Sequence, residues 1–137
     1  MIGERRRISS GGPWEAAVGY SRAVVVGRRV LVSGTTDAGP DGRSLHPDDA
    51  GAQTRASFAI IARALREAGA SLDDVVRTRM YVVDRADVAD VTAVHGELFA
   101  IARPAATLVL VAGLIDPTLR VEVEVEAEAM IAGGAPA

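Results

Sequence analysis

The most regular hydrophobic pattern lies in the last third of the chain. Val121-Glu122-Val123-Glu124-Val125-Glu126-Ala127-Glu128 alternates strictly between apolar and acidic residues. That period predicts a strand with one face in a core and the other against water or opposite charges. Shortly before it, Thr107-Leu108-Val109-Leu110-Val111 follows Arg103-Pro104-Ala105-Ala106 and is apolar on both faces. Such a run predicts a strand in the middle of something thick.

The same reading, taken along the chain, places further elements. Arg5 to Ser10 reads as a short edge strand before the Gly11-Gly12-Pro13 break. Val24-Val25-Val26 and Arg29 to Thr36, joined by Gly27-Arg28, read as a hairpin whose second strand ends in Ser33-Gly34. From an Asp48 or Asp49 N-cap to Gly69, the spacing of Phe58, Ile61, Leu65 and Ala68 predicts a helix. Val75 to Val83 predicts an amphipathic strand with Arg77, Arg79 and Tyr81 on one face and Thr78, Met80 and Val82 on the other. A second helix carries the stripe Val91, Val94, Leu98 and Ile101 and stops at Pro104. The order implies a layered α+β domain, one sheet with two helices on one face. No third helix is available for the other face of the doubly apolar strand, so a second copy of the chain is expected to cover it.

Composition narrows the chemistry. The 137 residues, 49% hydrophobic, suit one domain with a real core. Its expected bounds are a single domain over 1–137, with a core of about 20–131, an N-terminal arm over 1–19 and a mobile tail over 132–137. No apolar run approaches the length of a membrane span and no apolar stretch follows Arg5-Arg6-Arg7, so neither membrane partner nor secretory signal is expected and the default compartment is cytoplasmic. Cysteine is absent and the two histidines, His46 and His95, are far apart in sequence, which gives no zinc pattern; neither metal nor cofactor is expected. All fifteen basic residues are arginine, which excludes a Schiff-base lysine. A net charge of -3 speaks against a nucleic-acid partner.

Several residues carry candidate chemistry beside a structural alternative. Glu122, Glu124, Glu126 and Glu128 project from one strand face and match the two-residue repeat of Arg77 and Arg79, which suits a cross-strand ladder. Alternatively, one glutamate, partly desolvated, holds or activates a water. His95 reads either as a half-buried helix histidine or as an acid in a cleft. Trp14 either pins the N-terminal arm or stacks on a ligand. A hydroxyl nucleophile built from Ser33, His95 and Asp37 lacks the spacing of a nucleophile elbow.

Gly19-Tyr20-Ser21-Arg22-Ala23, Val32-Ser33-Gly34, Gln53-Thr54-Arg55, the run from Ala68 to Thr78, Arg103-Pro104-Ala105 and Val121-Glu122-Val123-Glu124 together resemble the Rid family of reactive intermediate deaminases, also called YjgF or L-PSP endoribonuclease-like proteins. The resemblance spans roughly Tyr20 to Ala129. It implies a chorismate-mutase-like, Rid-type α+β fold with a mixed sheet, a homotrimer with helices outward, and clefts between subunits. In active members it further implies an arginine, two residues after the motif proline, that grips the carboxylate of a 2-imino acid while water hydrolyses the imine. Here that position is Ala106. Tyr20, Ser33 and Gly34 match pocket-lining positions of the family. Glu122 matches its water-associated glutamate, allowing one inserted residue in the Asp116-Pro117 loop. His95 falls where many members carry an aromatic residue. Arg79 stands where a small residue is common, and either supplies a replacement guanidinium or belongs to the ladder. The expected function is therefore a homotrimer that binds a small imine, enamine or carbonyl metabolite, with hydrolysis resting on Glu122 and His95, and without efficient 2-iminopropanoate deamination. A non-enzymatic metabolite-sensing or protein-interaction trimer is the alternative, and RNA cleavage ranks last.

Overall fold

The computed structural model describes residues 5–130; the expected mobile tail over 132–137 lies outside them. Six strands, β1 (Arg5–Ile8), β2 (Ala23–Val26), β3 (Arg29–Thr35), β4 (Val75–Val82), β5 (Ala105–Leu110) and β6 (Val121–Glu128), form one mixed sheet in the order β1-β2-β3-β6-β4-β5. Three α-helices, α1 (Trp14–Val18), α2 (Ala50–Glu67) and α3 (Val88–Leu98), accompany them. The strand that closes the sequence is central in space. β6 lies between β3 and β4, antiparallel to both, whereas β4 and β5 are parallel across α3.

The alternation of β6 divides the sheet into two faces. Val121, Val123, Val125 and Ala127 are buried and join Phe58, Ile61 and Leu65 of α2 in one core. Apolar surface removed from water on this side is the main stabilising term. α2 begins where expected, with the Asp49 carboxylate accepting from the Ala52 amide at 3.0 Å, and is followed by Gly69 at φ 87°, a left-handed conformation that glycine adopts without a Cβ clash. Among the described residues no helix is long and apolar enough to cross a membrane.

Two expectations need correction. First, β5 is not in the middle of the chain's own fold but at the edge of its sheet, with Val109 41% and Leu110 40% exposed. An apolar run on both faces signals a need for burial without specifying what meets it. Second, the stripe of α3 does not extend to Ile101. The helix ends at Leu98, Phe99 takes the core position, and Ile101 is 79% exposed. The residue before a proline is disfavoured in the helical region, and Arg103 turns the chain at φ 45° with its amide bonded to the Phe99 carbonyl at 2.9 Å. The expected N-terminal edge strand is present. β1 pairs with β2 along its whole length, and α1 is a short helix that the periodicity did not reveal. A Cβ at Gly42 would stand 3.9 Å from the Trp14 ring, and Trp14 is 44% exposed.

The unequal roles of Phe99 and Ile101 and the central place of Phe58 give a direct test. Phe58→Ala should cost about 3–5 kcal/mol in urea unfolding, as expected for a buried aromatic, while Ile101→Ser should leave the midpoint within about 0.5 kcal/mol of wild type.

Candidate functional site

The register between β3 and β6 breaks at one point. Val32 pairs with Val125 and Thr35 with Val123, so β3 advances three residues while β6 advances two. The extra residue makes a bulge at Ser33-Gly34, the kind of irregularity that re-aims groups beside binding sites. A Cβ on Gly34 would stand 2.5 Å from Glu122 Oε2 and 3.1 Å from Glu122 Cδ. A side chain at this position would have to push the Glu122 carboxylate aside, so glycine lets that carboxylate lie against the bulge.

Arg22 staples this bulge. Its Nη1 donates to the Gly34 carbonyl at 2.8 Å, to Thr35 Oγ1 at 2.7 Å and more weakly to the Ser33 carbonyl at 3.4 Å. The Ser33 amide donates to the Arg22 carbonyl at 2.9 Å, and Ser33 Oγ donates to the Ser21 carbonyl at 2.6 Å. The Arg22 guanidinium carbon lies 5.6 Å from the centre of the Tyr20 ring, a cation–π distance. Tyr20, Ser33, Gly34 and Glu122 are therefore gathered by one arginine.

The other three glutamates of β6 are occupied. Arg28 pairs with Glu128 at 2.9 Å and Arg29 with Glu126 at 2.7 Å. Arg79 bridges Glu124 at 3.3 Å and Glu126 at 3.2 Å, and Tyr81 donates its hydroxyl to Glu124 at 2.6 Å. The hydrogen bond to Glu124 is the main reason that the Tyr81 pKa is raised. Arg79 thus belongs to the ladder and does not reach into a cleft of this chain. The residue opposite Glu122 is Tyr81, whose hydroxyl is already used. Glu122 consequently accepts no side-chain or backbone hydrogen bond among the described residues. Burial, and then the neighbouring Glu124 charge, hold its pKa above the usual carboxylate range, with Arg22 pulling the other way.

The remaining candidates lie elsewhere. His95 sits on the helix side of the sheet, its Nε2 2.8 Å from Thr78 Oγ1 and its ring against Phe58 and Phe99. Burial lowers its pKa, so the ring is neutral at pH 7. It lines a shallow groove with Phe99, Arg103 and Pro104. Ala106 pairs with Thr78, and paired residues share a sheet face, so position 106 also belongs to the helix side. Within one chain, Glu122 faces away from both His95 and Ala106. The considered Ser33, His95 and Asp37 triad is not assembled. Asp37 instead accepts from Ser44 Oγ at 2.7 Å and the His46 amide at 3.0 Å, with His46 Nδ1 at 3.1 Å. Among the described residues no cluster of three His, Asp or Glu side chains is placed to hold a metal ion.

Sequence reasoning missed Arg22 as a site residue. Hydropathy marks an arginine before a strand as surface, and only the Ser33-Gly34 strand end signalled that backbone here would be approached closely.

The profile of the endoribonuclease L-PSP family matches residues 13–129. A crystal structure of a Mycobacterium tuberculosis member of the YjgF/YER057c/UK114 family is 46% identical, with a TM-score of 0.83 over 92% of this chain and 100% of that one. An uncharacterised Streptomyces coelicolor protein is 42% identical over 123 residues, 89% of this chain and 90% of its own length. A RutC family protein of Pyrococcus abyssi is 36% identical over 95 residues, 69% of this chain and 75% of its own length.

Because the folded-state pKa of Glu122 is raised, folding favours its protonated form. The associated stability is present below the unfolded carboxylate pKa and is lost as pH rises through the folded one. Glu122→Gln should therefore melt above wild type at pH 7, and the two melting curves should converge as pH falls below the ordinary carboxylate value of 4.5. A lower melting temperature for the variant at pH 7 would show that Glu122 is a stabilising partner instead.

Proposed function

The chain belongs to the endoribonuclease L-PSP family, the YjgF/UK114 or Rid proteins, and from that premise we propose that it binds and hydrolyses a small imine, enamine or carbonyl metabolite in clefts between the copies of a homotrimer. The observation that carries this reading is the half-buried Glu122, left without a partner over Gly34 at the end of a ladder in which every other glutamate is paired. Burial raises its proton affinity, which suits such a carboxylate to accept and return a proton. In imine hydrolysis, a water held by Glu122 adds to the C=N carbon as its proton passes to the carboxylate. The proton then goes to nitrogen, and collapse of the carbinolamine releases ammonia and leaves the carbonyl.

Two observations support a cleft made by more than one copy. Glu122 and position 106 lie on opposite faces of one sheet, so only a second chain can bring them together. The exposed apolar edge of β5 also requires cover. In this arrangement one copy supplies Tyr20, Ser33, Gly34 and Glu122. Another supplies Ala106 and the groove beside His95, whose neutral ring serves as a hydrogen-bonding wall. Ala106 brings no cation. Losing a charge-assisted hydrogen bond of about 1.5–3 kcal/mol reduces binding of a carboxylate substrate by roughly ten- to a hundredfold or more.

A non-enzymatic metabolite-sensing trimer is the second reading, favoured by the absence of an arginine at 106 together with the engagement of Arg79 in the ladder. RNA cleavage ranks last, because the net charge of -3 offers no excess of basic residues and the two histidines occupy separate surroundings.

The test offers purified protein a 2-imino acid generated in situ and follows its disappearance. Wild type should be weak, Ala106→Arg should raise kcat/KM at least about tenfold, and Glu122→Gln in that background should remove the gain. Full activity in wild type would overturn the reading. Sedimentation should give three copies, and Val109→Glu on the β5 edge should dissociate them.

A further inference from the structure

The surroundings of the half-buried Glu122 decide which charge a ligand can carry there. Across the sheet Glu122 pairs with Tyr81, and Tyr81 with Val109, so its own row brings no cation. In the next row Arg79 is held by Glu124 at 3.3 Å and Glu126 at 3.2 Å. Arg77 stands opposite Glu126, two rows and about 13 Å along the strand from Glu122. Arg28 and Arg29 are paired with Glu128 and Glu126 at the same far end. Arg22 is buried, with its Nη1 on the Gly34 carbonyl and Thr35 Oγ1 and its guanidinium against the Tyr20 ring. On the ladder side, therefore, no guanidinium is free to grip a carboxylate bonded to the reacting carbon. Glu124 acts in the same direction, because the negative charge that helps raise the proton affinity of Glu122 also repels an anionic ligand.

The opposite charge is favoured. An imine nitrogen becomes a cation when it takes up a proton, and its N–H then donates a charge-assisted hydrogen bond to an unpaired carboxylate. Protonation also makes the imine carbon the more electrophilic, so one contact both holds the ligand and prepares it for water.

Resting on the reading that imines are hydrolysed at Glu122, we infer that the substrate is a small imine with no carboxylate on the imine carbon, bound as its iminium cation. Imines of this kind arise when a primary amine is oxidised, whereas oxidation of an amino acid gives a 2-imino acid. In the step itself the water oxygen bonds to the iminium carbon while Glu122 takes one water proton and passes it to nitrogen. The C–N bond then breaks, the hydroxyl proton leaves with the ammonia as ammonium, and an aldehyde remains. On the other wall the groove beside His95 holds one guanidinium, Arg103, so its variant enters the test.

The test generates two imines in situ that differ only in the carboxylate, one from propylamine with an amine oxidase and one from 2-aminobutanoate with an amino-acid oxidase, with semicarbazide as the competing trap. Wild type should hydrolyse the propylamine imine with a kcat/KM at least about tenfold above that for 2-iminobutanoate, and Ala106→Arg should reverse the order. Equal rates, or a preference for 2-iminobutanoate, would overturn the inference and leave imine hydrolysis standing; loss of that preference in Arg103→Gln would place the carboxylate grip on the other wall. Hydrolysis of neither imine would overturn the reading of the site, and binding followed by NMR would then decide the inference. Propylammonium should bind in preference to propanoate and lose that preference in Glu122→Gln, and no such preference in wild type would overturn it.

Discussion

The alternation of valine and glutamate along β6 is the constraint on which the other features depend. A central strand must hydrogen-bond on both edges, and its side chains must alternate between faces. Once the valines lie under α2, four carboxylates stand on the uncovered face at intervals of about 6.6–6.8 Å. Arg28, Arg29, Arg79 and Tyr81 meet three of them from the strands on either side. Exposed pairs of this kind contribute only about 0–1 kcal/mol each. Their consequence is selective more than energetic, because they use up the partners and leave Glu122 alone.

That isolation is reinforced from β3. The bulge at Ser33-Gly34 removes a side chain where the Glu122 carboxylate comes closest, and Arg22 holds the bulge in place through three oxygens. An acid with a raised proton affinity and a buried cation are therefore held near each other without forming an ion pair. Arg22 is engaged by the bulge and the Tyr20 ring, while Glu122 stays without a hydrogen-bond partner on the ladder side.

Much of the fold was legible in local pattern. The hairpin, the helix from Asp49 to Gly69 and the two faces of β4 followed from periods of two and 3.6 and from turn and cap residues. The errors share one cause. Periodicity reports which residues need burial and says nothing of the partner, so a doubly apolar run reads as interior although β5 forms an edge, and the stripe runs on to Ile101 although Phe99 fills the core. Arg22 was passed over because its burial comes from contacts made by a segment eleven to thirteen residues away.

The sequence by itself determined most of the elements, the buried faces of α2, β4 and β6, the family resemblance and the absence of an arginine at 106, because each of these is a property of residues adjacent or regularly spaced along the chain. Only the tertiary structure decided that Arg79 belongs to the ladder, that Glu122 is the glutamate left unpaired, and that His95 and Ala106 lie across the sheet from it. Those outcomes depend on the register of β6 against β3 and β4, strands far from it in sequence. A shift of one residue in that register would have exchanged the faces and chosen different partners.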